Sequence, residues 1–378
     1  MRVLVINCGS STIKYAVLDP VQSEYGVRGV AARIGEPGGP PDHATALRQL
    51  LESVDLDGVA AVGHRIVHGG RFALPMLVDN GVLAELRQLI PLAPLHNPAG
   101  IAGIDAARAL RPDLPQVAVF DTGFHYAMPD AASTYAIDRS LATKHRIRRY
   151  GFHGISFAYV SRQAARLLNR PLTTLNMIVL HLGNGASAAA IDSGVSMATS
   201  MGFTPLEGLV MGTRPGDLDP GVVLYLQRTL GLSLDEVDEL LNHHSGLYGM
   251  AGASDMRTVL ERRAAGDREA RLAFDVYCHR VRQYVGAYHA VLGRLDAIVF
   301  TAGVGENAPA VRDVSLIGLQ HWGITVDPAR NEGNGKGARI ISPPGTPVTV
   351  CVVPTDEEIA IAHEVVGLLS GQAAGAAS

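Results

Sequence analysis

The residues best suited to chemistry in this chain are Asn7, Lys14, Arg65, Asp121, His153, Arg214 and Glu357. Residues 2–19, RVLVINCGSSTIKYAVLD, place Asn7 before a small polar loop and Lys14 behind it. Cys8, Gly9, Ser10, Ser11 and Thr12 offer short side chains, free backbone N–H groups and three hydroxyls, which is what a phosphate asks of a turn. The loop is not a Walker A motif, because the chain returns as a strand rather than opening a helix. An ordinary serine-rich turn is the alternative reading. Arg65 lies in the apolar stretch GVAAVGHRIVHGG, and an arginine so embedded needs an anion or a structural carboxylate. His64 and His68 are four apart, but a zinc pair at that spacing wants a helix, and this stretch reads as a strand. Asp121 ends the buried run QVAVFD, as a site carboxylate or a turn former. His153 is flanked by Gly151 and Gly154 ahead of a helix, where it either caps the helix or sits in a cleft. Arg214 lies within a long Gly/Pro-rich segment, 200–221, whose Met, Leu and Phe content argues against disorder. Glu357 is a site carboxylate or an acidic first-turn residue favoured by the helix dipole.

The elements that must hold these residues follow from the hydrophobic pattern. Val3 to Ile6 is an unbroken apolar run of the kind shown by a strand buried on both faces, and Ile13 to Leu18 is its return strand. Residues 20–58 form an excursion, with a loop at 36–43 and an amphipathic helix at 44–54. Residues 82–112 read as helix, proline-broken loop, helix. At 177–192, MIVLHLGNGASAAAID repeats the opening theme of strand, small polar loop and strand, which suggests a duplicated architecture. Ser233 and Glu236 form one capping box, and Thr355 and Glu358 are expected to form another. Phe274, Tyr277, Val281, Tyr284, Tyr288 and Val291 recur at helical spacing in the longest helix, as core or subunit interface. Gly303, Val304, Gly305, Glu306 and Asn307 follow a buried strand and read as a glycine-rich turn suited to a nucleotide, with Pro309 near the start of the next helix.

Composition sets the broad class. The 378 residues suffice for two domains, and 47% hydrophobic residues support compact cores. A formal charge of −4 favours neither nucleic acid nor an anionic membrane surface. Three widely spaced cysteines fit no disulfide framework and suit a reducing cytoplasm. No run approaches the roughly 20 apolar residues of a membrane span, and no signal-peptide core is present.

In sequence order, NCGSSTIK, GHRIVHGG, PLHNP, FDTGFH, RRYGFHG, HLGNGAS, GFTPLEGLVMGTRPGD, SDMR, TAGVGEN and TDEE resemble the acetate kinase family. The resemblance implies an α/β fold of the actin, sugar kinase and Hsp70 type, with duplicated βββαβαβα, ribonuclease H-like domains around a central cleft. It implies an N-terminal lobe of residues 1–125 plus 359–378, a C-terminal lobe of residues 126–358 and a homodimer. The implied activity is reversible transfer of the ATP γ-phosphoryl group to acetate, giving acetyl phosphate and ADP. Carried over by position, Mg²⁺ (or Mn²⁺) contacts fall on Asn7 and Glu357, and a conserved lysine falls on Lys14. Arg65, Asp121, His153 and Arg214 take the catalytic places. Val67, Leu95, His96, Phe152 and Pro205 would form the acyl site, and the bulk of Val67 tilts the choice toward acetate. Nucleotide contacts would fall on His181, Leu182, Gly183, Asn184, Gly185, Asp255, Met256 and Arg257, and on the stretch from Gly303 to Asn307. Alternatives are a propionate or other short-chain carboxylate kinase, or a non-catalytic or ATP-hydrolysing relative. Thr12, Phe157 and Pro215 depart from the family pattern, which has Ser, His and Ser at those places.

Overall fold

The computed structural model describes residues 1–9, 12–22, 24–333, 335 and 337–371. Ser10 and Ser11 of the proposed phosphate loop lie outside the described residues. The chain divides into two compact units, one of residues 1–126, 152–159 and 356–378 and one of residues 127–151 and 160–355. Residues 152–159 and 356–358, expected in the second lobe, therefore pack with the first.

The first unit is built on strands β1 (Arg2–Cys8), β2 (Thr12–Asp19), β3 (Glu24–Ala32), β4 (Val59–Ile66), β5 (Met76–Leu77) and β6 (Gln116–Phe120). They form one six-stranded sheet in the order β3-β2-β1-β4-β6-β5. β1, β2 and β3 are antiparallel neighbours, β1, β4 and β6 run parallel, and β5 returns antiparallel on β6. β1 is buried on both faces because its side chains alternate between two cores. Leu4 and Ile6 pack with the His43–Ser53 and Asn97–Leu110 helices. Val3 and Val5 pack with Ile155 and with Ile359 to Val365 of the last helix, Glu357–Leu369.

The second unit repeats this plan with β7 (Asn176–Leu182), β8 (Ala186–Asp192), β9 (Val195–Thr199), β10 (Ala297–Thr301), β11 (Arg339–Ile340) and β12 (Thr349–Val352). Their order is β11-β12-β10-β7-β8-β9. β7 pairs antiparallel with β8 and parallel with β10, β10 runs parallel to β12, and β11 returns antiparallel on β12. The duplication seen in the two hairpin sequences therefore extends to whole sheets. Even the short antiparallel strand is inserted at the same place, between the fourth and last core strands of each copy.

Three local expectations are revised. The 20–58 excursion contains a full strand, β3, whose sequence EYGVRGVAA lacks the long apolar run that marked its neighbours. Gly303 to Asn307 is no turn but part of a short helix, Ala302–Asn307, that leaves β10 through Ala302 at φ +64°. The last helix is capped by Asp356, which accepts from the Ile359 N–H at 3.0 Å, and not by Thr355, whose N–H donates to Glu306 instead. The Ser233–Glu236 capping box forms as expected. So does the Arg268–Leu292 helix, with Phe274, Tyr277, Val281 and Tyr288 buried.

Candidate active site

In the first unit, the carboxyl ends of the three parallel strands carry Asn7 on β1, Arg65 on β4 and Asp121 just past β6. Strand ends of this kind are where open α/β sheets hold ligands. Arg65 is fixed side-on to Asp121: Nε donates to Oδ1 at 3.1 Å and Nη2 to Oδ2 at 2.6 Å. Two parallel charge-assisted bonds define the plane of the guanidinium. Among the described residues its remaining edge makes one long contact, Nη1 to Asn7 Oδ1 at 3.4 Å. Glu357, the first residue of the last helix, brings Oε2 to 3.7 Å from Arg65 Nε. Two carboxylates thus share one guanidinium. Asp121 is 1% exposed, and burial pushes its pKa up despite the neighbouring Arg65. Burial works against the charge of Arg65, but Asp121 and Glu357 outweigh it and hold the arginine protonated.

His153 joins this group through its backbone. Its N–H donates to the Asp121 carboxylate, and the next residue, Gly154, donates its N–H to the Asp121 carbonyl at 2.8 Å. The turn requires φ +58° at His153, a left-handed conformation that a non-glycine residue adopts only when its surroundings enforce it. Gly154 is needed for the close approach, since a Cβ there would lie 2.3 Å from the Asp121 carbonyl oxygen. Phe157, the departure from the family histidine, is fully buried with its ring 5.4 Å from that of His125.

The acyl-site set is partly assembled within this unit. Phe152 is buried, and its ring meets the edge of His68, the neighbour of Val67, at 5.7 Å. His68 is tied to the Asn97–Leu110 helix by reciprocal 3.0 Å bonds with Asn97, and His96 and exposed Leu95 precede that helix. His64 bonds Gln116 at 2.8 Å, whereas Nδ1 of His68 accepts from the Gly70 N–H at 3.1 Å. Lys14 stands directly opposite Asn7 in the β1–β2 ladder, on the same face of the sheet.

In the second unit, Pro205 and Arg214 come together: Arg214 Nη1 donates to the Pro205 carbonyl at 2.6 Å. Burial lowers the pKa of Arg214 to about 10, so it stays charged at neutral pH. Among the described residues no carboxylate pairs with it.

Two parts of the expected nucleotide set, His181 to Gly185 and Gly303 to Asn307, lie at strand ends of the second sheet, as Asn7 and Arg65 do in the first. His181 and Leu182 end β7, Gly183 donates its N–H to the Gly185 carbonyl at 3.0 Å, and the Asn184 carbonyl accepts from Gly212 at 2.9 Å. Asp255 caps the Met256–Ala264 helix and pairs with Arg257, which is 85% exposed, while Met256 is buried. Gly303 to Asn307 form the short helix after β10, where Asn307 Nδ2 donates to the Gly303 carbonyl at 2.9 Å. Glu306 accepts from Thr355 at 3.2 Å, and burial raises its pKa.

Sequence reasoning missed several supporting residues. Arg312 is fully buried and donates to the carbonyls of Gly305 (2.9 Å) and Glu306 (3.0 Å) and to Asn331. Its signal was an arginine on the apolar face of the Pro309–Leu316 helix. His43 Nε2 meets the Gly9 carbonyl at 2.8 Å, and the Tyr25 hydroxyl donates to Asp356 at 2.6 Å. Both lie in the excursion, and nothing in their local sequence marks them.

Among the described residues no group of three or more His, Cys, Asp or Glu is arranged to hold a metal, and no helix is long and apolar enough to cross a membrane. A family model described as the Acetokinase family matches residues 36–363. An acetate kinase of Streptomyces coelicolor is 52% identical over 98% of this chain and 97% of its own length. One from Streptomyces avermitilis is 53% identical over 97% of both. Among solved structures, an acetate kinase of Porphyromonas gingivalis superposes with a TM-score of 0.92 at 40% identity, covering 97% of this chain and 99% of its own. A propionate kinase of Francisella tularensis gives 0.90 at 42% identity, with 96% and 98% covered. The family model, the identity over nearly the full length and the superposition agree, and the chain belongs to the acetokinase family.

Proposed function

We infer that the protein is an acetate kinase, moving the terminal phosphoryl group of ATP to acetate to give acetyl phosphate and ADP, and running the reaction in reverse. The observation that carries this reading is Arg214: a charged, largely desolvated guanidinium that, among the described residues, is fastened to a neutral carbonyl and to no carboxylate. Burying a cation without a counter-ion is unfavourable, so the site is built for an anion that arrives from outside. Arg65 complements it, since the edge left over from Asp121 can take a carboxylate or phosphoryl oxygen. Both reactants are negatively charged, and the transferring group spreads charge over three oxygens. Catalysis then rests chiefly on positioning and electrostatics.

In this reading His153 donates to a phosphoryl oxygen and Asp121 orients Arg65. Acetate is already ionised at neutral pH, so no base is needed to activate it. Val67, Leu95, His96, Phe152 and Pro205 hold the acyl group. His181 to Gly185, Asp255 to Arg257 and Gly303 to Asn307 hold the nucleotide, with Lys14 adding positive charge. Asn7 Oδ1 and Glu357 Oε2 border the same guanidinium, and they suit Mg²⁺ or Mn²⁺, which need few protein oxygens beside phosphate and water. When bound, the ion would neutralise phosphate charge. A cytoplasmic homodimer is proposed as well. Exposed Val222, Leu224, Tyr225 and Leu230 of the second unit supply apolar surface for a partner, and three free, buried cysteines suit a reducing compartment.

The test is a hydroxylamine trap with ATP and Mg²⁺ across formate, acetate, propionate and butyrate. Acetate should give the most hydroxamate, and no product from any acid refutes the kinase reading. A propionate lead would favour the second reading, which the comparable likeness to a propionate kinase supports. One methylene in such a pocket is worth only about 1–3 kcal/mol.

A further inference from the structure

The segment from Ser200 to Asp217 is neither helix nor strand, yet it is braced at its ends and in its middle. Gly208 and Asp217 bond each other twice at 3.0 Å, and Arg280 Nη1 donates to the Gly208 carbonyl at 3.1 Å. At the other end Arg149 reaches in, its Nη1 donating to the carbonyls of Thr199 (3.2 Å), Ser200 (3.1 Å) and Met201 (3.1 Å). Nη2 of the same arginine pairs with Glu207. Tyr135 closes the group, its hydroxyl donating to Glu207 Oε2 and accepting from the Phe203 N–H at 2.9 Å. A Cβ at position 202 would lie 1.8 Å from Glu207 Oε2 and 2.1 Å from the Tyr135 hydroxyl, so the pair keeps this placement beside a glycine.

Two residues before Glu207 stands Pro205, whose carbonyl is the seat of Arg214. A carboxylate placed directly on Arg214 would fix its aim but cancel its charge. The chain spends its carboxylate on Arg149 and holds Arg214 through a neutral oxygen on the same short stretch of backbone. We propose that Glu207, clamped by Arg149 and Tyr135, is a positioning residue for phosphoryl transfer, aiming Arg214 through the Pro205 carbonyl while leaving its positive charge whole. The inference rests on the role given to Arg214 above.

The test crosses Glu207→Gln with Arg214→Ala. With Arg214 present, Glu207→Gln should lower kcat by about 10- to 100-fold with KM for ATP changed by less than about twofold, as coupled neighbours do. In the Arg214→Ala background the same change should lower kcat by less than about twofold. Equal losses in both backgrounds overturn the proposal, since a merely structural defect would add. Tyr135→Phe, which leaves both charges in place, should give a smaller loss that also vanishes with Arg214→Ala; an undiminished loss overturns the proposal where Glu207→Gln fails to fold. A second readout needs no turnover: phenylglyoxal modification of Arg214, mapped by mass spectrometry, should quicken at least about threefold in Glu207→Gln, in line with such coupling. Unchanged labelling overturns the clamp. Absence of hydroxamate from the unaltered protein would instead overturn the function, with the labelling result still judging the clamp.

Discussion

Mild acid should loosen the first unit. His64, His68 and His125 all lie in it, and burial lowers the pKa of each to about 4 from an ordinary 6.5. The native state refuses protons that the unfolded chain accepts between those values, so the stability these groups confer is complete above pH 6.5 and lost as pH falls toward 4. At pH 5.5 each histidine accounts for a loss of about 1.4 kcal/mol, and the three together for about 4. That is a large share of the 5–15 kcal/mol that typically separates native from unfolded domains. Asp121 works in the opposite sense, because its raised pKa lets the native state take up a proton first, and it trims the loss. The assay is hydrogen exchange in β1 and β4 peptides at pH 7.5, 6.5 and 5.5, corrected for intrinsic rates, alongside the fluorescence of Trp322, the single tryptophan, which reports on the second unit. Protection in β1 and β4 should fall first. In His64→Gln the acid-induced loss should shrink by about one third, one titrating group of three having been removed. Unchanged protection between pH 7.5 and 5.5, or the same loss in His64→Gln, would refute the reasoning.

Two further outcomes follow from the packing. Arg65→Ala leaves Asp121 buried without its partner and should destabilise the first unit by about 3–5 kcal/mol while lowering kcat by about 100-fold or more, with KM for ATP little changed. Urea titration and steady-state kinetics measure both, and near-normal turnover would remove Arg65 from the site. Cys8, Cys278 and Cys351 are buried with pKa pushed up to about 12, so a thiol reagent at pH 8 should label none of them in the native protein and all three in urea. Rapid native labelling would contradict that burial.

What could be read from the sequence was whatever one local rule decides. Val3 to Ile6 had to be a strand buried on both faces, and the apolar run before Asp121 had to end at the sheet's edge, because apolar continuity has few other outcomes. The Ser233–Glu236 cap is a contact between near neighbours in the chain and was equally plain. Features decided by distant partners were hidden. Gly303 to Asn307 is poor in helix formers, and its carbonyls at Gly305 and Glu306 are held by Arg312, which local propensity cannot foresee. Thr355 looked like a cap until Glu306, 49 positions earlier, drew its N–H away and left Asp356 to do the work. Arg65 was visible as an arginine needing an anion and Arg214 only as an arginine in a long Gly/Pro-rich segment; that the first is tied to a carboxylate while, among the described residues, the second is not, is decided by distant parts of the chain.

The short strands β5 and β11 have a consequence for life at high concentration. Each ends its sheet beside a parallel strand, and each is only two residues long. An open row of peptide groups along β6 or β12 would invite strands from neighbouring molecules to add on, the first step toward fibrils. With part of that row already met by a strand too brief to template another, this edge of each sheet copy carries the same built-in guard against self-stacking.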